Sequence, residues 1–159
     1  MKLAMIGLGK MGANMARRLI KDGHDVVGYN LDDSVTDSLA EEVGLIPAYS
    51  LDDVVDKLAP PRTAWVMVPA GDPTENVIAE LTGLMDADDT IIDGGNSNYK
   101  DTMRRGADLA AKGIHFVDVG TSGGVWGLAE GYSMMVGGDD TAVARLRPAL
   151  ETLAPGSDQ

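Results

Sequence analysis

The chain has 159 residues, 44% of them hydrophobic, 24% charged and 4% aromatic, with no cysteine. That is one domain's worth of chain with an ordinary globular balance, able to bury roughly 70% of its unfolded surface. Thirteen Lys plus Arg against twenty-five Asp plus Glu give a net charge of −12, which repels nucleic-acid backbones and anionic membranes, and the missing cysteines exclude a disulfide scaffold, a thiolate metal site and a thiol nucleophile.

No apolar run approaches the ~18 residues of a membrane span. Met1–Gly7 is apolar but breaks at glycine and lacks a small-residue cleavage site. A soluble, cytoplasmic protein with neither nucleic-acid nor membrane partners is expected.

Leu3–Gly7 reads as a short buried strand closed by glycine. Met11, Met15 and Leu19 recur every fourth residue, with Arg17, Arg18 and Lys21 off that stripe, which marks an amphipathic helix. Asp22-Gly23 is a turn and Val26–Tyr29 a second strand. Val35, Leu39 and Val43 repeat the helical spacing and stop at Gly44, a C′ glycine. Ser50 caps a short helix carrying Val54, Val55 and Leu58, which Pro60-Pro61 terminates. Ala64–Val68 is the next strand. Asp72-Pro73-Thr74-Glu75 then reads as N-cap, N1 proline and N3 acid of a helix turning Val77, Ile78 and Leu81 inward. Thr90–Ile92 is a strand, and Tyr99, Met103, Ala107 and Ala110 mark the face of the helix that follows. His115–Val119 and Tyr132–Val136 are strands, and Val143, Leu146, Leu150 and Leu153 form a closing helix before the tail Pro155–Gln159. This alternation predicts an α/β fold, a doubly wound, mostly parallel sheet with helices on both faces.

Gly7-Leu8-Gly9-Lys10-Met11-Gly12 sits between the first strand and the first helix. That is the place of the dinucleotide fingerprint: the first glycine makes the turn, the second lets backbone approach a pyrophosphate, and the third brings helix and sheet together. Asn30-Leu31-Asp32-Asp33 ends the second strand, where a ribose contact is expected. Val68-Pro69-Ala70-Gly71 and Asp93-Gly94-Gly95-Asn96-Ser97-Asn98 close two later strands, and ligands of open parallel sheets bind outside such carboxyl ends. The second of these runs also suits a plain turn with Ser97 as helix cap. Gly120-Thr121-Ser122-Gly123-Gly124 follows another strand and offers hydroxyls and bare amides to a hydroxylated or carboxylated ligand, or serves only as a turn. His24 and His115 flank strands with no carboxylate or second histidine at metal-ligand spacing, so no metal site is expected. The acids Asp32, Asp33, Asp86, Asp88 and Asp89 lie near turns and read as helix caps. Trp126, in a glycine-rich loop, would shield a ligand pocket or cover core edge.

The glycine turn, Val68–Gly71, the run Ile91–Tyr99 with Asp101, Arg104 and Arg105, and Gly120–Gly124 resemble the N-terminal domain of the 6-phosphogluconate dehydrogenases. The stretch Gly113–Gly138, with Val125-Trp126-Gly127, is similar to the shorter, often NAD-linked bacterial branch. The resemblance covers essentially the whole chain and implies a Rossmann-like cofactor-binding domain over residues 1–159. It implies that Gly7, Leu8, Gly9, Lys10, Met11 and Gly12 hold the cofactor pyrophosphate; that Asn30, Leu31 and Asp32 flank the adenine ribose; and that Val68, Pro69 and Ala70 line the nucleotide's inner face. Asn96 would contact cofactor and substrate, and Ser122, Gly123 and Gly124 the substrate's carboxylate end and hydroxyls. The implied reaction oxidises 6-phosphogluconate by hydride transfer to NAD(P), decarboxylates the β-keto acid and yields ribulose 5-phosphate. The family's catalytic lysine, His-Asn pair and acid lie past the position of Gln159, in a helical domain absent from this chain. No catalytic residue is therefore expected here, the chain alone is expected to be inactive, and a homo-oligomer is expected of the full-length enzyme. NAD is the expected cofactor, with NADP the alternative: Leu31 brings no charge where NADP-linked members place an arginine, Asp32 and Asp33 repel a 2′-phosphate, and only Lys10 or Arg62 is left to approach one. Two other functions fit the same residues: a β-hydroxyacid dehydrogenase of the 3-hydroxyisobutyrate type, and a free-standing nucleotide-binding module.

Overall fold

The computed structural model describes residues 1–95, 98–123 and 126–155. Its strands are β1 (Lys2–Ile6), β2 (Asp25–Tyr29), β3 (Ile46–Pro47), β4 (Thr63–Val66), β5 (Thr90–Asp93), β6 (His115–Ser122) and β7 (Ser133–Gly138). Its helices are α1 (Lys10–Lys21), α2 (Asp33–Val43), α3 (Leu51–Asp56), α4 (Asp72–Leu84), α5 (Tyr99–Ala110), α6 (Gly127–Glu130) and α7 (Asp140–Leu153). The strands form one sheet in the order β3-β2-β1-β4-β5-β6-β7, parallel throughout except that β7 runs antiparallel to β6. The link from β6 to β7 is too short for a crossover, so the chain must reverse. The order changes direction between β1 and β4, and there the carboxyl ends of neighbouring strands open a crevice.

Alternation along the strands builds two cores. Leu3, Met5, Val26, Trp65, Ile92, Val117 and Val119 face one side, packed by Met15 and Leu19 of α1, Leu39 of α2, and Leu146 and Leu153 of α7. Ala4, Ile6, Val27, Ala64, Val66 and Ile91 face the other, packed by Val54 of α3, Leu81 of α4 and Leu109 of α5. The doubly wound sheet predicted from the strand–helix alternation is thus the observed one.

Local chemistry places most helix ends as expected. Gly44 closes α2 in the left-handed region at φ 77°, its N–H donating to the Ala40 carbonyl. Ser50 caps α3 by accepting from the Asp53 N–H at 3.0 Å. Two expectations are corrected. The N-cap of α4 is Gly71, at φ 93°, so Asp72 lies inside the helix and Glu75 is turned to ion pairing instead of a capping box. On α5, Met103, Ala107 and Ala110 face solvent, while Arg105 and Leu109 face inward. The hydrophobic count misses this face because a buried arginine occupies it. Strand β3 and helix α6, of two and four residues, are too short to leave a periodic signal. Asn98 caps α5, its side chain accepting from the Lys100 N–H at 2.9 Å; the Ser97 expectation falls outside the described residues.

Candidate functional site

The three glycines of the turn after β1 answer to different neighbours. Gly7 has φ +96°, and a Cβ there would lie 2.6 Å from the Met67 carbonyl oxygen. A Cβ on Gly12 would lie 2.1 Å from the Gly7 carbonyl oxygen, so α1 packs directly on the turn. A Cβ on Gly9 would meet nothing within 4 Å. Gly9 is the N-cap of α1, with an ordinary φ of −66° and no side chain to satisfy the first amides of the helix. Open space thus faces a helix N-terminus, the arrangement that receives a phosphate.

The end of β2 fixes this turn. The Asn30 Oδ1 accepts the Leu8 N–H at 3.0 Å. Asp32 caps α2, one carboxylate oxygen accepting from the Ser34 N–H at 3.0 Å and the Ser34 hydroxyl at 2.6 Å, and these bonds hold its carboxyl below the usual range. Leu31 is 93% exposed and offers only an apolar surface. Between α1 and α2 lies a cleft of about 340 Å³, lined by Leu8, Gly9, Lys10, Ala13, Arg17 and residues of the first turns of α2. Arg17 is a site residue that the sequence alone does not reveal, because there it is only a solvated position off the apolar stripe. Arg62, expected as a cation in reach of the adenosine, stands before β4 at the opposite end of the sheet, bound to Asp86 and Asp89 at 3.2 Å each. It is removed from the site.

The loops after β4 and β5 rim the crevice beside the turn. Val68 lies against Gly7, whose absent Cβ would stand 3.1 Å from a Val68 methyl, and Pro69 and Ala70 are exposed. The loop after β5 is pinned from below. Asp93, fully buried, accepts the Gly95 N–H at 2.9 Å on one oxygen and binds Arg105 at 3.1 Å on the other. Arg105, 3% exposed, also donates to Glu75 of α4 at 2.8 Å, and Arg104 grips the same Glu75 with two bonds of 2.7 and 3.0 Å. The hydrogen bond from Arg104, with that from Arg105, overcomes the burial of Glu75 and holds its carboxyl at about 2. Asp118, beside Asp93 on β6, is pushed the other way, above its ordinary range, by burial and by the Asp93 charge. Asn96, expected to contact cofactor and substrate, lies outside the described residues, as does Gly124.

At the end of β6, Ser122 is exposed. Gly123 has a structural reason to be glycine: its Cβ would lie 2.7 Å from the Tyr132 ring. Trp126 is 67% exposed and covers no core. Both histidines lie away from the crevice. His24 bonds the N-terminal amine at 2.8 Å and the Thr152 hydroxyl at 2.7 Å. His115 is bridged by Asp139 at 2.7 Å and Asp88 at 3.0 Å, and those carboxylates, brought from distant segments, raise its pKa.

Residues 2–157 match the family profile described as the NAD binding domain of 6-phosphogluconate dehydrogenase. The chain is 39% identical over 158 residues to an NAD(+)-dependent, decarboxylating 6-phosphogluconate dehydrogenase of Haloferax volcanii, covering 99% of this chain and 52% of that protein. It is 38% identical over 160 residues to an NADP(+)-dependent, decarboxylating 6-phosphogluconate dehydrogenase of Bacillus subtilis, covering 99% of this chain and 34% of that one. A solved 6-phosphogluconate dehydrogenase of Plasmodium falciparum superposes with a TM-score of 0.92 at 25% identity, over 99% of this chain and 35% of that one. The chain spans about half the length of the first relative and about a third of the other two. No described helix is long and apolar enough to cross a membrane.

Proposed function

Because the chain belongs to the family of NAD-binding domains of 6-phosphogluconate dehydrogenase, we propose that it binds the cofactor for an enzyme that oxidatively decarboxylates 6-phosphogluconate to ribulose 5-phosphate and CO2. The observation that carries the cofactor site is the contrast within the glycine turn. Packing demands glycine at positions 7 and 12, whereas at position 9 only an incoming ligand would.

In this reading the bare N-terminal amides of α1 receive the pyrophosphate at Gly9, with Lys10 and Met11 in the first turn behind it. Asn30 holds the Leu8 amide and so sets the turn before anything binds. Leu31 and Asp32 flank the adenine ribose, and Val68, Pro69 and Ala70 the nucleotide's inner face. A bound NAD(P) supplies the hydride acceptor. Asn96, Ser122, Gly123 and Gly124 take the substrate's carboxylate end and hydroxyls. The Asp93–Arg105–Glu75 pairs hold Gly95, just after β5, from the protein side. The groups that move protons in the reaction, and assembly into a homo-oligomer, are assigned to the part of the relatives' length that this chain does not span. Relatives of either cofactor dependence are equally similar to this chain, so the choice between NAD and NADP rests on its own residues. Leu31 and Asp32 favour NAD.

Gly9→Val tests the site. Titration calorimetry of the chain with NAD+ is expected to show binding that the variant loses, with the melting temperature unchanged. Equal binding by the variant would overturn the pyrophosphate assignment. The chain alone is expected to form no ribulose 5-phosphate.

A further inference from the structure

The cleft between α1 and α2 joins two things that the glycine turn alone does not explain. At one end stand Leu8, Gly9 and Lys10, at the other Arg17, with Ser34, Val35 and Ser38 of α2 along the wall. The cleft therefore runs from the proposed pyrophosphate site along the first turns of α2, next to the Leu31–Asp32 segment proposed to flank the adenine ribose. Arg17 brings a guanidinium to this cleft, the group best suited to a phosphate dianion. That guanidinium is already occupied. Its Nε and Nη2 meet the two carboxylate oxygens of Glu42 at 2.6 and 3.0 Å, and its Nη1 donates to the Asn14 Oδ1 at 2.7 Å. Glu42 stands in the last turn of α2, nine residues beyond Asp33, so it draws the guanidinium toward the end of α2 about 13 Å from its start. The bond to Asn14, one turn back along α1, lies on the side toward which helical side chains lean, that of their own N-terminus. That direction leads to the glycine turn.

We infer that Glu42 is a cofactor-specificity residue that acts through Arg17: by forking onto the guanidinium it withholds the cation from the adenosine 2′ position, so that the cleft takes a 2′-hydroxyl in preference to a 2′-phosphate. The inference rests on the proposed pyrophosphate site at Gly9 and goes beyond it, because it assigns the choice to a pair outside the strand end that Leu31 and Asp32 occupy. The fork makes a strong geometric match, and each partner shifts the other, Arg17 upward and Glu42 downward, through that same pair of bonds.

The experiment titrates the chain with NAD+ and with NADP+ at one fixed, low salt concentration. Glu42→Gln keeps the side chain's shape, lies on an exposed surface and removes the charge that holds Arg17. It is expected to tighten NADP+ binding about tenfold, the worth of one added charge-assisted contact, and to leave NAD+ within twofold. Glu41→Gln makes the same change of net charge on the neighbouring residue and is expected to leave both affinities as they were. Adding Arg17→Met to Glu42→Gln is expected to abolish the gain. An unchanged ratio in Glu42→Gln, an equal gain in Glu41→Gln, or a gain that survives Arg17→Met each overturns the role of the pair while leaving the site at Gly9 standing. A parent chain that binds neither cofactor overturns the site itself, and this inference with it.

Discussion

The turn after β1 and the loop after β5 both present glycines at the carboxyl ends of strands, and both suggest a backbone kept bare for a ligand. Their surroundings differ. A Cβ at Gly9 would enter open space, whereas one at Gly94 would lie 2.4 Å from the Met67 sulfur and 2.6 Å from the Trp65 indole nitrogen. The first loop opens toward solvent at Gly9, while the Asn30 carboxamide accepts its Leu8 N–H and its Gly7 N–H donates to the Tyr29 carbonyl at 2.9 Å. The second is shaped toward the protein, its glycine filled by neighbouring side chains and its root tied by a buried ion pair. Gly9 therefore answers to the open space in front of α1, and Gly94 to the Met67 and Trp65 side chains beside it.

The contrast can be broken most forcefully at Arg105. Arg105→Met would leave the buried Asp93 carboxylate without its guanidinium and uncouple α5 from Glu75. Removing one partner of such a pair typically costs about 3–5 kcal/mol, read as a fall in the urea midpoint. A loss below 1 kcal/mol would show the loop after β5 to be held by something else. The second test compares alanines. Gly94→Ala forces Met67 and Trp65 apart and is expected to destabilise by about 1–3 kcal/mol, while Gly9→Ala stays within about 0.5 kcal/mol of the parent. Equal costs at the two positions would erase the distinction between the loops.

The smallest effects concern pH. Glu75 is held at about 2 in the folded chain against an ordinary 4.5, so the stability its arginine contacts contribute is present above the ordinary value and lost as pH falls from there toward 2. His115 has a raised pKa between Asp88 and Asp139, so its contribution is complete below 6.5 and lost as pH rises through the raised value. Urea midpoints measured against pH should therefore fall on both sides. Glu75→Gln should lessen the fall on the acid side and leave the upper side unchanged, whereas His115→Gln should lessen the fall on the upper side and part of that on the acid side, because His115 helps hold Asp88 and Asp139 below their ordinary range.

Much of this molecule was legible in its residues because the relevant forces act locally. The glycine turn, the capping Ser50 and the left-handed Gly44 each depend on neighbours within a few positions. The α4 cap was displaced by one residue because Asp72-Pro73-Thr74-Glu75 satisfies the capping pattern on paper, while Glu75 finds stronger partners, two arginines about thirty residues away.

By itself, the sequence determined the strand–helix alternation, the two-sided burial of the sheet and the place of the dinucleotide turn. Those follow from hydrophobic period and from backbone preferences, which each segment carries alone. The tertiary structure decided which face of α5 turns inward, why Gly94 and Gly123 are glycines, that Arg62 sits at the far end of the sheet, and that Arg17 shares a cleft with the glycine turn while Glu42 holds it. Each of these depends on charges or side-chain volumes supplied by a segment remote in the chain. A spacing rule that counts apolar residues places Arg105 and Arg17 on the surface, because it cannot see the carboxylates that the fold delivers to them.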